Sequence, residues 1–432
     1  MDNFNSKCIF FGKPREQINE ITSYIDASNI YGSTVKESDK LRLFKDGLLL
    51  TSPGRMLPPR ADQTTCTITD QRDFCLLAVF VLKVFRTVLL HIVGDRRVQE
   101  VPTLASLHIT FVRYHNHIAR RLKSINPHWT DEHLFQETRK IIGAINQKIT
   151  YEEYLPAILN KDYLRRYCLQ PDCQFYDDRL DPATVNSFAV TAFRFGHSQI
   201  PGHTGLCKES QKRQYSCPYA AKRCPFKPVI QVNEYESVLV ESTFKNPYMV
   251  FKDVDGIQLF QVTNASTKSD SLDLPALDIQ RGRDHGIPSY TKFREFCGLT
   301  KVLYFHSGFK GLVDHDHNTV ELLRKTYRDV EDIDLFVGGM TERPLPGSEL
   351  GPTFSCIMAR QFERYKIGDR FWWRRRDPVV GFTSGMVFSV YYYIFTTFWY
   401  HRGVHNRLNG SVFFHSLFSF FMVYAVLNIN VQ

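Results

Sequence analysis

A mainly α-helical fold is predicted, and three observations predict it. Apolar residues recur at helical spacing through two long segments, cap and turn residues separate those segments, and strand-like alternation is scarce. In "LASLHITFVRYHNHIARRL", Leu104, Leu107, Phe111, Ile118 and Leu122 follow one another at steps of three, four and seven. Thr130 is placed as the N-cap of "DEHLFQETRKIIGAINQKI", whose stripe is Leu134, Ile141, Ile142 and Ile145.

The remaining elements follow in order. "REQINEITSYIDASNIYGS" mixes a short helical pattern with an oxygen-rich turn. Residues 75–93 are strongly apolar but carry Lys83, Arg86 and His91, which argues against a bilayer span. A helix bearing Phe193 and His197 is expected after the Asp181–Pro182 turn. Residues 205–230 are rich in Lys, Cys and Pro and read as irregular loop. "DLPALDIQRGRDHGIPSYTKFREFCGL" starts as helix, turns at Gly286–Pro288 and resumes as helix. After "FWWRRRDP" the character changes. Val379 to Tyr400 is a 22-residue stretch without a charged side chain, and a second apolar stretch runs from Val412 to Leu427. Its length suits a membrane segment at 379–400, and association through 379–427 is one expectation. Its many Thr, Ser, Tyr and His residues suit lipid contact poorly.

The totals exclude several classes. With 432 residues, 43% of them hydrophobic, the chain can bury a large core. A net charge of +9 is modest for this length and dispersed, so no nucleic-acid partner is expected. The ten cysteines fit no zinc spacing, and structural disulfides in an oxidising compartment are the better reading. Asn264 and Asn409 head glycosylation triplets that matter if the chain is exported. The start, "MDNFNSKCIF", is no signal peptide, so export and disulfide chemistry agree only if sequence precedes it.

One stretch carries the functional question. "TAFRFGHSQI" sets His197 directly after Gly196 and three residues after Arg194. Such a histidine is either a buried, hydrogen-bonded core residue or a metal ligand beside a flat, anionic group. A spacing of one helical turn puts Arg194 and His197 on one face.

The motifs around it resemble the animal haem peroxidases, of the peroxidasin, myeloperoxidase and thyroid peroxidase type. The resemblance rests on "REQINEITSYIDASNIYGS", "GDRRVQEVPTLASLH", "NSFAVTAFRFGHS", "ALDIQRGRDHGIPSY", "FCGL" and "LGPTFSCIMARQFERYKIGDRFWW", in that order. It covers about residues 8–75, 94–200 and 240–373. It implies a helical domain over 8–373, with an atypical insert at 76–93, a divergent loop at 205–240 and an atypical tail at 374–432. Haem b would lie between the central helices. The implied activity is a secreted peroxidase that uses hydrogen peroxide to oxidise a small donor, a halide, phenol or tyrosyl group, in response to oxidative stress.

The resemblance makes His197 the proximal iron ligand. Its family partner is an asparagine, and here that position is Asp278, which should pull harder on the imidazole proton and lower the iron potential. Arg194 and Arg281 match contacts to the haem propionates, while Arg283, Asp284 and His285 are expected in structural hydrogen bonds. Arg97 matches the catalytic arginine, which offsets negative charge on the departing oxygen. Glu100 matches a glutamate that esterifies a haem methyl, and Val101 in place of methionine excludes a sulfonium link. Thr22, Tyr24 through its carbonyl, Asp26 and Ser28 match part of a calcium site. Cys297 pairs with Cys356 by resemblance and Cys66 with Cys75; the partner of Cys8 lies upstream, and five cysteines have no counterpart.

Departures temper this. The family's distal histidine sits upstream of the calcium loop, and the chain begins after that position. Turnover is therefore expected to fall severely, and a catalytically impaired haem-binding relic or secreted interaction domain is the competing expectation. A membrane-anchored binding protein is a third. "VDHDHN" (313–318) is no substitute and reads as a solvated turn. The insert, a shortened "NASTKSDS" and the tail together suggest an N-terminal truncation or a gene model carrying translated non-coding sequence.

Overall fold

The computed structural model describes residues 17–52, 57–58, 93–99, 102–199, 274–377, 381–385 and 387. Cys8, Cys66, Cys75, Glu100, the 76–93 insert, the 205–240 loop, both glycosylation triplets and nearly all of 379–427 lie outside them. No helix among the described residues is long and apolar enough to cross a membrane.

The described residues are mostly helical and form no sheet, as the sequence predicts; an isolated antiparallel bridge joins Arg42 and Leu49. The Pro102–Ile125 and Asp131–Ile149 helices pack on each other. Thr130 caps the second, accepting from the His133 amide at 3.3 Å, and Leu134, Ile142 and Ile145 of its stripe are buried. The "DIQRGRDHG" string folds as Leu274–Asp284, turns at Gly286 with φ of 65°, and resumes as Tyr290–Phe296. Pro352–Ile367 runs through the interior, with Pro352 in its first turn, where a missing N–H costs nothing.

One helix differs from expectation. The segment carrying His197 is an α-helix over Asn186–Val190, then a 3₁₀-helix over Ala192–Gln199. The break falls at Thr191, which leaves helical geometry at φ −133° and ψ −77° while its hydroxyl donates to the Ser187 carbonyl. A β-branched hydroxyl residue that bonds back to the preceding turn favours such a break. An aromatic cluster fixes the tighter helix. Phe188 stacks on Phe193 at 5.0 Å between centroids, and Phe362 meets both, with Tyr151 and Trp372 beyond.

A second buried cluster revises the reading of "VDHDHN" as solvated for its first half, while 316–318 are exposed as expected. His315 is fully buried, and its Nε2 donates to the Gly338 carbonyl at 3.1 Å and the Thr341 hydroxyl at 3.0 Å. Its neighbour Asp314 pairs with buried Arg294 at 2.6 Å, and Arg294 also pairs with buried Glu342 at 3.0 Å. Tyr290 donates to Glu342 at 2.7 Å. The loop is polar because it completes an ion-pair network in the interior. Asp316, His317 and Asn318 are exposed, and Asp316 caps the His317–Thr326 helix.

The Cys297–Cys356 disulfide forms as the resemblance implies, tying the end of Tyr290–Phe296 to the Pro352–Ile367 helix. Cys168 and Cys173, left without partners by the sequence, form another.

Burial pushes His115 and His315 down to about 4, and burial raises Asp369 to about 6. The histidines bind protons in the unfolded chain, near pH 6.5, that the folded chain refuses until about 4, so their contribution to stability is lost as pH falls through that window. Asp369 acts oppositely, adding stability as pH falls through about 6. Between pH 7 and 5 the balance of the three is a loss of roughly 2 kcal/mol. The urea midpoint should fall over that range, and His315→Gln should reduce the fall.

Candidate active site

The 3₁₀ geometry of Ala192–Gln199 sets residues three apart directly above one another. Arg194 and His197 therefore present their polar ends to one place, and a carboxylate occupies it. Asp278, at 0% exposure, comes from the second turn of the Leu274–Asp284 helix. His197 Nδ1 donates to Asp278 Oδ2 at 2.7 Å, and Arg194 Nη1 donates to Asp278 Oδ1 at 2.9 Å. Arg194 Nε adds a bond to the Ala189 carbonyl at 3.3 Å, which sets the plane of the guanidinium. The sequence predicts the Asp278–His197 pair. It does not predict that Arg194 shares the carboxylate, since its expected partner was a propionate.

This arrangement fits an axial imidazole. With Nδ1–H engaged by a carboxylate, Nε2 carries the ring's lone pair, the form in which histidine ligates a metal. The geometry is braced from the turn beyond Asp278. His285 Nδ1 donates to Asn186 Oδ1 at 2.8 Å, and Arg283 binds both oxygens of Asp334 at 2.9 and 2.7 Å. These are the structural hydrogen bonds expected of that turn. Arg281 lies one turn past Asp278, half-buried, with no side-chain partner among the described residues.

A second group forms around Arg97. Gly94 and Asp95 dock on the Ser28–Tyr31 helix through Gly94 N to Ile30 O at 3.1 Å and Asp95 N to Asn29 O at 2.8 Å. The position must be glycine, because a Cβ there would strike the Ser28 carbonyl and the Gly32 amide. Asp95 and Arg97 are both buried, and the carboxylate takes Arg97 Nε at 3.0 Å and Nη2 at 2.8 Å. Burial opposes the charge on Asp95, but Arg97 more than offsets it and holds the carboxyl below its usual range. His108, fully buried, donates from Nδ1 to the Leu104 carbonyl at 2.8 Å and is pushed down by burial. Asp95 and His108 were not singled out from the sequence. The only available signal was Asp95 two residues before Arg97, a spacing at which an aspartate binds the following backbone.

The candidate calcium residues share one loop. Thr22 Oγ1 accepts from the Tyr24 amide and Asp26 Oδ1 from the Ser28 amide, both at 3.0 Å. Between them Ala27 is fully buried and takes a left-handed φ of 64°, a strain that a non-glycine residue adopts only where its surroundings enforce it. Burial raises the Asp26 carboxyl, with Arg139 at 4.0 Å working against the rise. Among the described residues no three His, Cys, Asp or Glu side chains gather to hold a metal. A cation at this loop would rely on Asp26 and neutral oxygens. Glu100 lies outside the described residues.

Comparison with known proteins gives a consistent result. A sequence model described as animal haem peroxidase matches residues 1–390. The chain is 36% identical to a peroxidase-like protein of Margaritifera margaritifera over 397 residues, covering 87% of this chain and 48% of that protein. It is 32% identical to thyroid peroxidase of Mus musculus, covering 84% of this chain and 39% of the other. The chain thus spans less than half the length of these relatives. Among solved structures it is similar to peroxidase A of Dictyostelium discoideum, with a TM-score of 0.65 at 28% identity, covering 87% of this chain and 70% of that one. A fatty acid alpha-dioxygenase of Oryza sativa, at 18% identity and a TM-score of 0.56, covering 83% and 62% of the two chains, shares the fold.

Removing the shared carboxylate takes from Arg194 and His197 the buried acceptor they have in common. Asp278→Ala should cost about 3–5 kcal/mol of stability. Asp278→Asn, which keeps an acceptor for His197, should cost less. Urea unfolding of the three proteins at neutral pH measures both.

Proposed function

The chain belongs to the animal haem peroxidase family, and from that premise we propose that it holds haem b on His197 and uses hydrogen peroxide to oxidise a small donor, a halide, phenol or tyrosyl group. The observation that carries this reading is the hydrogen bond from His197 Nδ1 to buried Asp278, the second-shell partner an axial imidazole requires. Bound haem supplies an iron that takes electrons from the donor and passes them to peroxide.

The protein's own residues then have separable tasks. Asp278 fixes the tautomer and orientation of His197. Arg281, half-buried one turn beyond, offers its guanidinium to a propionate. Arg97 supplies fixed positive charge where the departing oxygen becomes negative, and Asp95 keeps that guanidinium in one orientation by binding Nε and Nη2 along one edge. Glu100 is the residue for an ester to the haem edge. Thr22, Tyr24, Asp26 and Ser28 form part of a calcium site that anchors the strand of chain on which Gly94 and Asp95 dock. The disulfides Cys168–Cys173 and Cys297–Cys356 favour an extracellular setting, and the use of peroxide as oxidant would place the protein in the response to oxidative stress.

One observation favours a second reading, a haem-binding domain without turnover. Asp95 engages two nitrogens of Arg97, which reduces what the cation can offer a substrate. Reconstitution with haem separates the two. A Soret band lost in His197→Ala, with peroxide-dependent oxidation of a phenolic dye that drops about 100- to 1,000-fold in Arg97→Gln, supports the peroxidase. A Soret band with no dye oxidation supports the second reading, and a spectrum unchanged in His197→Ala removes both.

A further inference from the structure

We propose that Arg194 is a positioning residue that acts on the iron ligand through Asp278, balancing the charge this aspartate introduces, and not through a haem propionate. The inference rests on the reading of His197 as the axial ligand.

Three observations combine. The first is geometric: the two oxygens of Asp278 are divided, Oδ2 to His197 at 2.7 Å and Oδ1 to Arg194 at 2.9 Å. The second is burial, since Asp278 has no solvent contact and its side chain meets water on neither oxygen, so its charge is answered by the protein. The third is the local fold. The 3₁₀ turn eclipses residues 194 and 197, and the bond from Arg194 Nε to the Ala189 carbonyl orients the guanidinium toward the carboxylate.

The electrostatic consequence follows from charge alone. A lone carboxylate on Nδ1–H draws the proton toward itself, gives the imidazole more anionic character and stabilises the oxidised iron. A guanidinium on the opposite oxygen withdraws part of that pull. The Arg194–Asp278 pair is neutral as a unit, like an amide, yet keeps a stronger acceptor than an amide against His197. The aspartate at 278 and the contact at 194 thus form one device, in which Arg194 tempers the pull of Asp278 and has nothing to temper without it.

The test is a double-mutant cycle on the haem-loaded full chain, read by the ferric/ferrous midpoint potential and by the iron–histidine stretch in the ferrous Raman spectrum. Arg194→Gln in the Asp278 background should lower the potential by on the order of tenfold in the redox equilibrium, about 59 mV for a one-electron couple, and raise the stretching frequency. Arg194→Lys, which keeps the charge, should restore most of both. In an Asp278→Asn background, Arg194→Gln should move neither. Equal shifts in both backgrounds would mean that Arg194 acts on the haem directly, and absence of a shift in either would mean that it is only structural; each result overturns the proposal. A Soret spectrum unchanged in His197→Ala would instead remove the ligand assignment beneath it.

Discussion

A carboxylate with no access to water, divided between a guanidinium and an imidazole, is the constraint around which the centre of this molecule is arranged. Burying an anion costs several kcal/mol unless its partners arrive with good geometry. Here those partners are 84 and 81 residues away in sequence, so the contact exists only when the Leu274–Asp284 helix lies against the 3₁₀ segment. The reverse also holds. Arg194 and His197 are mostly buried, with side chains 21% and 11% exposed, and each needs the acceptor that Asp278 provides.

The rest of the described core can be understood as holding those two elements in register. On one side, Phe188, Phe193 and Phe362 lock the Asn186–Val190 helix and its 3₁₀ continuation onto Pro352–Ile367. On the other, His285 reaches from the turn after Asp278 to Asn186, joining the far ends of the same pair. The Cys297–Cys356 link then fastens the following helix to Pro352–Ile367, closing a loop of covalent and packing contacts around the site. Tyr290, Arg294, Glu342 and Asp314 fill the space beneath as a paired network, where an isolated charge would be prohibitive.

What could be read from the sequence divides along the range of the interaction. Thr130 as a cap and the Gly286 turn were legible because each is decided by residues within one turn of chain. His197 and Asp278 were legible because ordered motifs placed them, although no spacing joins residues 81 apart. The break at Thr191 was not, since helix periodicity does not distinguish 3.6 from 3.0 residues per turn over so short a segment. His315 was misread for a related reason. A histidine between two aspartates looks solvated until Tyr290, Gly338 and Thr341, distant in sequence, close on it. The sharing of Asp278 by Arg194 was invisible for the same cause, because sequence names the guanidinium but not its acceptor.

The two arginines of the candidate site carry this distinction into function. Arg97 is held by Asp95 two residues away, on a turn whose backbone also bonds to that carboxylate, so local chain geometry suffices to assemble the pair. Arg194 is held by an aspartate that only the folded core delivers. A perturbation that loosens the core without unfolding it should therefore separate His197 from its partner while leaving Arg97 clamped. The cation assigned to peroxide is built into a local motif, whereas the strength of the assigned iron ligand depends on tertiary packing. In this chain the His197–Asp278 contact is the more fragile of the two, because it forms only where two helical segments from distant parts of the sequence meet.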